Sequence, residues 1–323
     1  LFNFLVRPYP ENSFSAISIF ILPWLTGLWL TPQVQTGNSS SIDVAVIQPN
    51  IHLSQKWKPG GSRENIASLI KYSEPAIEDN VDLIVWPESA TSVNILRGNP
   101  YNLNRIQSSL DDTKLISGIP YNSGSNLNRL VYNSVVMISS DSVSELYHKI
   151  KLVPMAEYIP LSEYFPFLKK FSLGILGNCT RGEEYTLYDI KDTKFAPMVC
   201  IESTFPSLNR EFVKQGAEVL VYVVNDGWYE HPPEPQQHAR QAIYRAVENR
   251  RPVIRGTNTG ISMIIDPSGN IVRQLPLNQA GVISANISPK DGITFYTRFG
   301  DIFAQLNSVI SLLFILGIFI RKK

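Results

Sequence analysis

Three polar residues stand where apolar, strand-like runs end, and their side chains are the types needed for covalent acyl chemistry. Glu88 and Cys200 each follow a short apolar run, and Lys149 follows the short strand-like segment Glu145-Leu146-Tyr147-His148. A thiol at the end of a buried strand can act as a nucleophile, because nearby backbone N–H groups can stabilise an oxyanion. A half-buried carboxylate with a raised pKa can serve as its general base, and an ammonium beside a thiol favours the thiolate. Together they predict a cysteine nucleophile assisted by a base and a cation.

Each of these residues also has a simpler explanation when taken alone. A free cysteine is most often a small buried hydrophobic residue, Glu88 could be a solvated loop charge, and Lys149 could be an ordinary surface lysine. The case for catalysis therefore rests on the combination. No cofactor is expected, and no metal site either, because His231 and His238 lack the His-Glu-x-x-His spacing of a zinc site.

The surrounding sequence alternates between strand-like and helix-like patterns, which predicts an α/β fold. A turn at residues 266–270 contains Pro267 and Gly269 and predicts a hairpin, so a mixed sheet or a stacked pair of sheets fits better than a parallel barrel. Helices are expected at residues 63–78, 103–110, 206–215 and 235–249. The strand candidates are residues 42–48, 82–86, 114–119, 130–138, 144–148, 195–199, 219–224, 253–255 and 261–265.

Two charge-free apolar segments enclose this body, at residues 14–30 and 302–320, and the second ends at Arg321-Lys322-Lys323. A helix needs roughly 20 apolar residues to cross a bilayer, and basic residues favour the cytoplasmic side. We therefore expect an N-terminal segment with a transmembrane helix (1–40), a catalytic domain (41–301) and a C-terminal transmembrane helix (302–323). The domain would then lie on the face opposite the cytoplasm, which in a bacterium is the periplasm. The chain does not start with Met, which suggests a fragment.

The charge of the chain limits the classes of partner. The formal net charge is +1 at pH 7, whereas nucleic-acid-binding proteins usually carry a concentrated basic surface. We expect no nucleic-acid partner. With Cys179 and Cys200 as its two cysteines, the chain is not expected to rely on a disulfide framework.

Several segments carry a specific resemblance: Gln48-Pro49-Asn50-Ile51, Lys56-Trp57, Trp86-Pro87-Glu88-Ser89, Tyr132-Asn133-Ser134, Leu152-Val153-Pro154, Glu157-Tyr158-Ile159-Pro160, Asn225-Asp226-Gly227-Trp228, Arg251-Pro252 and residues 255–260. They resemble the nitrilase, or carbon-nitrogen hydrolase, superfamily, whose catalytic set is Glu, Lys and Cys in that order. Within it, the flanks look like the apolipoprotein N-acyltransferases, bacterial membrane enzymes that complete lipoprotein maturation. The resemblance covers nearly all of residues 41–287. It implies a nitrilase-like α-β-β-α sandwich flanked by transmembrane helices.

The resemblance assigns roles to the three residues. It implies Cys200 as the nucleophile, Glu88 as the general base and Lys149 as the cationic stabiliser. Lys151 is the competing lysine. The family spacing between the catalytic lysine and the glutamate of the Glu-Tyr-Ile-Pro segment matches Lys149 and Glu157, so Lys149 is preferred.

Further residues are implied near the site. Glu157 resembles the supporting glutamate that orients the triad, and Glu202 matches the carboxylate two positions after the nucleophile. Asn133 matches a residue important near the site. The backbone N–H of Ile201 would join the catalytic lysine in the oxyanion hole, although the resemblance leads us to expect Tyr at that position.

Two tryptophans are implied at the substrate side. Trp57 matches a residue close to the site, and Trp228 follows an apolar strand at a point where the resemblance implies the acyl or lipid entrance. An indole suits a boundary between water and apolar surroundings.

The function implied is a ping-pong acyl transfer through a Cys200 thioester. The acyl donor would be a phospholipid such as phosphatidylethanolamine, and the acceptor the α-amine of a diacylglyceryl-cysteine on an apolipoprotein. Two alternatives stay open. The same triad could hydrolyse an amide or nitrile, and the domain could be a non-catalytic periplasmic binding domain.

Overall fold

The computed structural model describes residues 21, 25, 41–98, 100–125, 128–162, 164–171, 178–228 and 233–321. The strands are β1 (Ile42–Gln48), β2 (Leu83–Val85), β3 (Lys114–Ser123), β4 (Leu130–Ile138), β5 (Tyr147–His148), β6 (Tyr188–Ile190), β7 (Thr193–Val199), β8 (Val219–Val224), β9 (Val253–Thr257), β10 (Ser262–Ile265), β11 (Ile271–Leu275) and β12 (Gly281–Ile287). The α-helices are α1 (Leu53–Lys56), α2 (Gly61–Glu78), α3 (Tyr101–Gln107), α4 (Pro206–Lys214), α5 (Glu234–Asn249), α6 (Phe295–Phe299) and α7 (Ile302–Arg321). Short 3₁₀ turns lie at Pro166–Phe171, Cys200–Thr204 and Asp226–Trp228.

Within the described residues, the strands form two six-stranded sheets. Their orders are β12-β1-β2-β3-β4-β5 and β11-β10-β9-β8-β7-β6. The central strands β1, β2 and β3 are parallel neighbours in the first sheet, and β7, β8 and β9 in the second. The outer pairs are antiparallel. Segments that leave the carboxyl ends of parallel neighbours emerge at the same edge of their sheet, which can gather polar side chains there.

The two sheets pack face to face and helices cover their outer faces. Strands β1, β3 and β4 contact β9, β8 and β7, while α2 contacts β1 and β12, and α5 contacts β9 and β10. Alternation along β1 follows from this packing: Val44 and Val46 join the core between the sheets, and Ala45 and Ile47 join the cluster beneath α2. Because both faces are covered, all six residues of β8 are buried, which explains its unbroken apolar sequence.

The α/β class and the stacked pair of sheets agree with the sequence prediction. The predicted hairpin is present, with Gly269 at φ +86° between β10 and β11. Strands β6 and β12 were not predicted, because β12 has an irregular burial pattern and takes its place by pairing along all of β1. The strand predicted at residues 144–148 is wrong in length, since β5 holds two residues.

The two predicted transmembrane segments are not confirmed. Over the part of the chain that the structure describes, no helix has the length and apolar character needed to cross a membrane. Residues 14–30 lie almost wholly outside the described residues.

Candidate active site

Loops at the ends of strands from both sheets surround one pocket. Glu88 follows β2, Lys149 follows β5 and Cys200 follows β7, and all three side chains line a pocket of about 490 Å³. This volume lies within the range of small-molecule sites, roughly 300–1,000 Å³. The other lining residues are Trp57, Ser89, Asn133, Val153, Ala156, Glu157, Ile201, Thr204, Asn225, Trp228, Glu234, Gln237, His238 and Gln241.

Cys200 begins a 3₁₀ turn at the end of β7, in a backbone conformation that is unusual for a residue with a side chain. Its φ is +51° and it is 8% exposed. A left-handed conformation costs a non-glycine residue of order 1–3 kcal/mol and persists only where its surroundings hold it. The carbonyl oxygen of Cys200 accepts a hydrogen bond from Ser203 Oγ at 2.9 Å. The turn aims the thiol into the pocket, and Ile201 also lines it.

Glu88 and Lys149 belong to a buried network with Asn133 and Glu157. Asn133 Nδ2 donates to Glu88 Oε1 at 2.7 Å and to Glu157 Oε1 at 2.8 Å. Lys149 Nζ lies 2.8 Å from Glu157 Oε2 and 3.8 Å from Glu88 Oε1. Glu157 also accepts from the Val153 N–H at 2.8 Å, which holds it beside the lysine. The Asn133 amide therefore bridges the carboxylates of Glu88 and Glu157, and both carboxylates lie within 4 Å of the Lys149 ammonium.

Burial and charge shift the ionisation of this network. Burial raises the pKa of Glu88 above its ordinary value, and Lys149 offsets part of that rise. Burial would lower the pKa of Lys149, but the carboxylates of Glu157 and Glu88 raise it overall, so the ammonium stays charged. Burial and Glu88 raise the pKa of the Cys200 thiol, against the opposing effect of Lys149. A neutral thiol beside a carboxylate of raised pKa suits proton transfer during attack.

One oxygen of the base is free to take that proton. Glu88 Oε2 is buried and has no hydrogen-bond partner among the described residues, and the same holds for Asn133 Oδ1 and Trp57 Nε1. The backbone around Glu88 is held closely, because a Cβ at Gly118 would lie 2.6 Å from Glu88 Cα. The site thus presents unpaired polar atoms on a rigid frame.

The two candidate lysines face different surroundings. Lys149 is 1% exposed and contacts both carboxylates, as described above. Lys151 lies on the other side of the turn, where its Nζ sits 5.7 Å from the centre of the Phe205 ring. Of the two, Lys149 has the geometry of the cation beside the thiol.

Glu202 lies outside the pocket lining and is 0% exposed. Its Oε1 accepts from the backbone N–H groups of Ile150 and Lys151 at 2.8 and 2.9 Å, and its Oε2 accepts from the Val199 N–H at 2.7 Å. Tyr147 Oη donates to the same carboxylate, 2.8 Å from Oε1. Glu202 therefore ties the lysine segment to the cysteine turn across the two sheets. Burial raises its pKa.

Trp57 and Trp228 both line the pocket. Trp228 is 46% exposed in the 3₁₀ turn after β8, whereas the Trp57 indole N–H is buried. Trp228 thus lies at the mouth of the pocket.

Sequence reasoning overlooked several buried groups around the site. Lys56 is 2% exposed, its Nζ donates to the Glu88 carbonyl at 2.8 Å, and burial lowers its pKa to about 8. His238 lies on α5 and is 6% exposed, and its Nε2 lies 3.1 Å from the Cys200 carbonyl oxygen. The only signal in the sequence was position: Lys56 precedes Trp57 in a segment of the family resemblance.

His238, Asp226 and Cys200 also form a group of possible metal ligands, with one ligand atom of each within 4.8 Å of the others. The carboxylate oxygens of Asp226 and the ring nitrogens of His238, which a metal would need as ligand atoms, already have protein partners. Asp226 Oδ1 and Oδ2 pair with His238 Nδ1 at 2.8 Å and Arg255 at 2.9 Å, and the other His238 nitrogen faces the Cys200 carbonyl. Because these atoms are paired without an ion, the arrangement fits a hydrogen-bonded cluster better than a metal site.

The sequence of this chain is similar to those of named bacterial proteins. A relative named apolipoprotein N-acyltransferase from Geobacter metallireducens is 34% identical over 92% of this chain, and one from Rickettsia bellii is 33% identical over 88%. The chain spans 57% of the length of each of these relatives. It therefore corresponds to a little over half of such a protein.

Solved structures share the fold at lower identity. Nit3 from Saccharomyces cerevisiae, a member of branch 10 of the nitrilase superfamily, matches with a TM-score of 0.60 and 20% identity over 79% of this chain and 93% of its own. An amidase from Nesterenkonia sp. matches with a TM-score of 0.59 and 16% identity over 84% of this chain and 98% of its own. Residues 43–295 match the carbon-nitrogen hydrolase family. The chain belongs to that family.

Proposed function

We propose that this chain is the catalytic part of an apolipoprotein N-acyltransferase, with Cys200 as nucleophile, Glu88 as general base and Lys149 as electrostatic stabiliser. The observation that carries the proposal is the pocket in which these three buried side chains meet, with Glu88 and Lys149 linked through Asn133 and Glu157. The names of the relatives favour acyl transfer over hydrolysis.

In the first half-reaction, Cys200 Sγ attacks the carbonyl carbon of a phospholipid ester, at the sn-1 chain, while the unpaired Oε2 of Glu88 takes the thiol proton. The developing oxyanion is stabilised by Lys149 and the backbone N–H of Ile201. The tetrahedral intermediate then breaks its C–O bond. Glu88 returns the proton to the departing alkoxide, which leaves a thioester on Cys200 and releases a lysophospholipid.

In the second half-reaction, the neutral α-amine of a diacylglyceryl-cysteine attacks the thioester carbon. Glu88 takes a proton from the amine as the C–N bond forms, and the C–S bond then breaks. The released thiolate recovers its proton from Glu88. The product is an N-acylated lipoprotein, and conversion of a thioester into an amide runs downhill without a further energy source.

The proposal includes attachment to a bacterial inner membrane, with residues 1–40 and 302–323 as membrane segments and residues 41–301 as the periplasmic domain. The surface of α7 supports this placement: α7 exposes large apolar side chains along its described length, among them Phe303 at 78% and Leu313 at 63%. Lipid would cover such a surface. Phosphatidylethanolamine is the proposed donor, and Trp228 would stand at the lipid entrance.

The first half-reaction can be tested alone. The purified chain in detergent is incubated with phosphatidylethanolamine and no acceptor, and intact and peptide mass spectra are searched for a hydroxylamine-sensitive acyl adduct. We expect the adduct on Cys200, its loss in Cys200→Ala and in Glu88→Gln, and its retention in the control variant Cys179→Ala. An adduct that persists in Cys200→Ala would refute the assignment of the nucleophile.

Hydrolysis is the competing outcome. Release of ammonia from a small amide, together with the absence of any lipid adduct, would identify an amidase and contradict the acyltransferase proposal. Neither activity, in a chain whose melting transition is intact, would point to a non-catalytic domain.

A further inference from the structure

One carboxylate on the wall of the pocket takes no part in the scheme above. Glu234 is the first residue of α5 and lines the pocket. Its Oε2 is buried without a hydrogen-bond partner, and no ion pair with a described residue holds the carboxylate. The N-terminus of a helix favours a negative side chain, which accounts for a glutamate at this position. It does not account for the unpaired oxygen, because a buried acceptor without a donor costs free energy.

The basic side chains described around the pocket all contact groups other than Glu234. The contacts are Lys149 with Glu157 and Glu88, Lys56 with the Glu88 carbonyl, Arg255 with Asp226, and His238 with Asp226, Ser203 and the Cys200 carbonyl. Within the described part of the chain, the carboxylate of Glu234 therefore has no basic partner.

Burial and charge act on this carboxyl in the direction expected of an unpaired acid. Burial, followed by the nearby charge of Asp226, raises the pKa of Glu234, and His238 and Arg255 oppose that rise. A cation held beside the carboxylate would lower the pKa again, because it stabilises the charged form. A cationic ligand would thus complement Glu234.

A second side chain of the pocket suits the same kind of ligand. Trp228 lies at the mouth, lines the pocket and is 46% exposed. The face of a tryptophan ring attracts ammonium groups. An ionised carboxylate only accepts hydrogen bonds, and its bonds with a charged donor are the strong ones. A carboxylate and an indole in one pocket therefore favour an ammonium ion over a neutral or anionic group.

We propose that Glu234 and Trp228 form a subsite for a primary ammonium group of a substrate. The inference rests on the proposed function, which supplies two such groups: the ethanolamine ammonium of the phospholipid donor and the protonated α-amine of the diacylglyceryl-cysteine acceptor. No bond is made or broken at the subsite. Glu234 binds and orients the substrate, and it determines specificity rather than assisting the triad.

The subsite can be tested without any acyl transfer. In a Cys179→Ala background, Cys200 is alkylated with iodoacetamide at pH 8 in the presence of n-decylammonium or of the neutral n-decanol, and the concentration of each that halves the alkylation rate is measured. We expect decylammonium to protect at a concentration about tenfold lower than decanol, because a hydrogen bond to a charged group contributes that much to binding. Glu234→Gln should remove this difference.

The matched control is Glu64→Gln. Glu64 lies in the first turn of another helix, α2, outside the pocket lining, and its side chain is 69% exposed. This variant should keep the preference for decylammonium. Equal protection by the two compounds in the wild-type chain, or protection by neither, would overturn the proposal without recourse to a variant. A preference that persists in a folded Glu234→Gln, as judged by its melting transition, would also overturn it.

A second pair of measurements distinguishes the two sources of the ammonium group. If the donor headgroup binds, the rate constant of adduct formation with phosphatidylethanolamine, divided by that with phosphatidylglycerol, should fall about tenfold in Glu234→Gln. If the acceptor amine binds, this ratio is unchanged, and the concentration of a diacylglyceryl-cysteine peptide that gives half-maximal transfer should rise about tenfold. No change in either measurement would refute a role for the subsite in substrate binding.

The two proposals fail in different ways. Absence of an adduct from either lipid in the wild-type chain would contradict the proposed function, while the protection by decylammonium still decides whether the ammonium subsite exists. Conversely, an adduct on Cys200 without any preference for decylammonium would leave the proposed function standing and reject the subsite.

Discussion

Replacing Glu202 with Gln is expected to destabilise the protein far more than an ordinary surface substitution. The carboxylate accepts from three backbone N–H groups and from Tyr147, with both oxygens engaged. An amide can turn its oxygen toward the Ile150 and Lys151 pair, but its NH₂ group then faces the Val199 N–H. That buried donor is left unpaired, at a cost of about 1–3 kcal/mol. Weakening of the remaining hydrogen bonds to a charged acceptor adds about 1–2 kcal/mol, so we expect a total loss of about 2–5 kcal/mol.

The loss would appear as a fall in melting temperature of about 4–20 °C, since each kcal/mol corresponds to roughly 2–4 °C for a domain of this size. The assay is thermal unfolding followed by circular dichroism, with acyl-adduct formation measured on the same samples well below the transition. The matched control is Glu145→Gln, an exposed glutamate for which a change within about 0.5 kcal/mol is expected. A melting temperature for Glu202→Gln equal to that of the control would show that the carboxylate does not join the two segments as argued.

Three further predictions follow from the site. Because the pKa of Glu88 is raised and the base must be ionised, the rate of acyl-adduct formation should fall as pH drops through a value above the ordinary glutamate pKa of about 4.3; a pH–rate profile with its acid limb at or below 4.3 would contradict this. Gly118→Ala should cost about 1–3 kcal/mol and slow acylation, because the added Cβ meets the backbone at Glu88. In the control variant Gly317→Ala the added Cβ meets no atom within 4 Å, so neither loss is expected. The Lys56 ammonium has a pKa of about 8 in the folded protein against 10.5 when exposed, so the free energy of unfolding of the wild-type protein should rise by about 3 kcal/mol as pH rises from below 8 to 10.5. Lys56→Met should lack that rise in denaturant titrations at pH 7 and 10.5. An equal pH dependence of stability in the two proteins would exclude a buried ammonium at this position.

The strands before Glu88 and Cys200 were predictable because their local patterns are strong. Runs such as residues 195–199 and 219–224 are apolar and β-branched, and each stops at a polar residue. Burial on both faces produces unbroken apolar runs, so these strands can be predicted from their own sequence, without knowledge of the strands they pair with. The positions of Glu88 and Cys200 at strand ends followed directly.

Long-range pairing was less accessible. β12 was missed, although it pairs with β1 along seven residues, because its own burial alternates irregularly and its sequence resembles an exposed segment. A strand at a sheet edge, such as β12, forms because it pairs with the neighbouring strand. Propensity in strands reflects packing against neighbours more than an intrinsic backbone preference.

The chain's sequence determined the α/β class, the three reactive residue types and the polar residues that end the strands before Glu88 and Cys200, since these depend on local patterns of apolar and polar residues. Tertiary structure alone decided that Glu202 joins two segments from behind the pocket and that His238 lies against the Cys200 carbonyl. Side chains 38 residues or more apart, such as His238 and Cys200, meet only once the two sheets have stacked. The hydrogen bonds that define their roles therefore leave no periodic trace in the sequence.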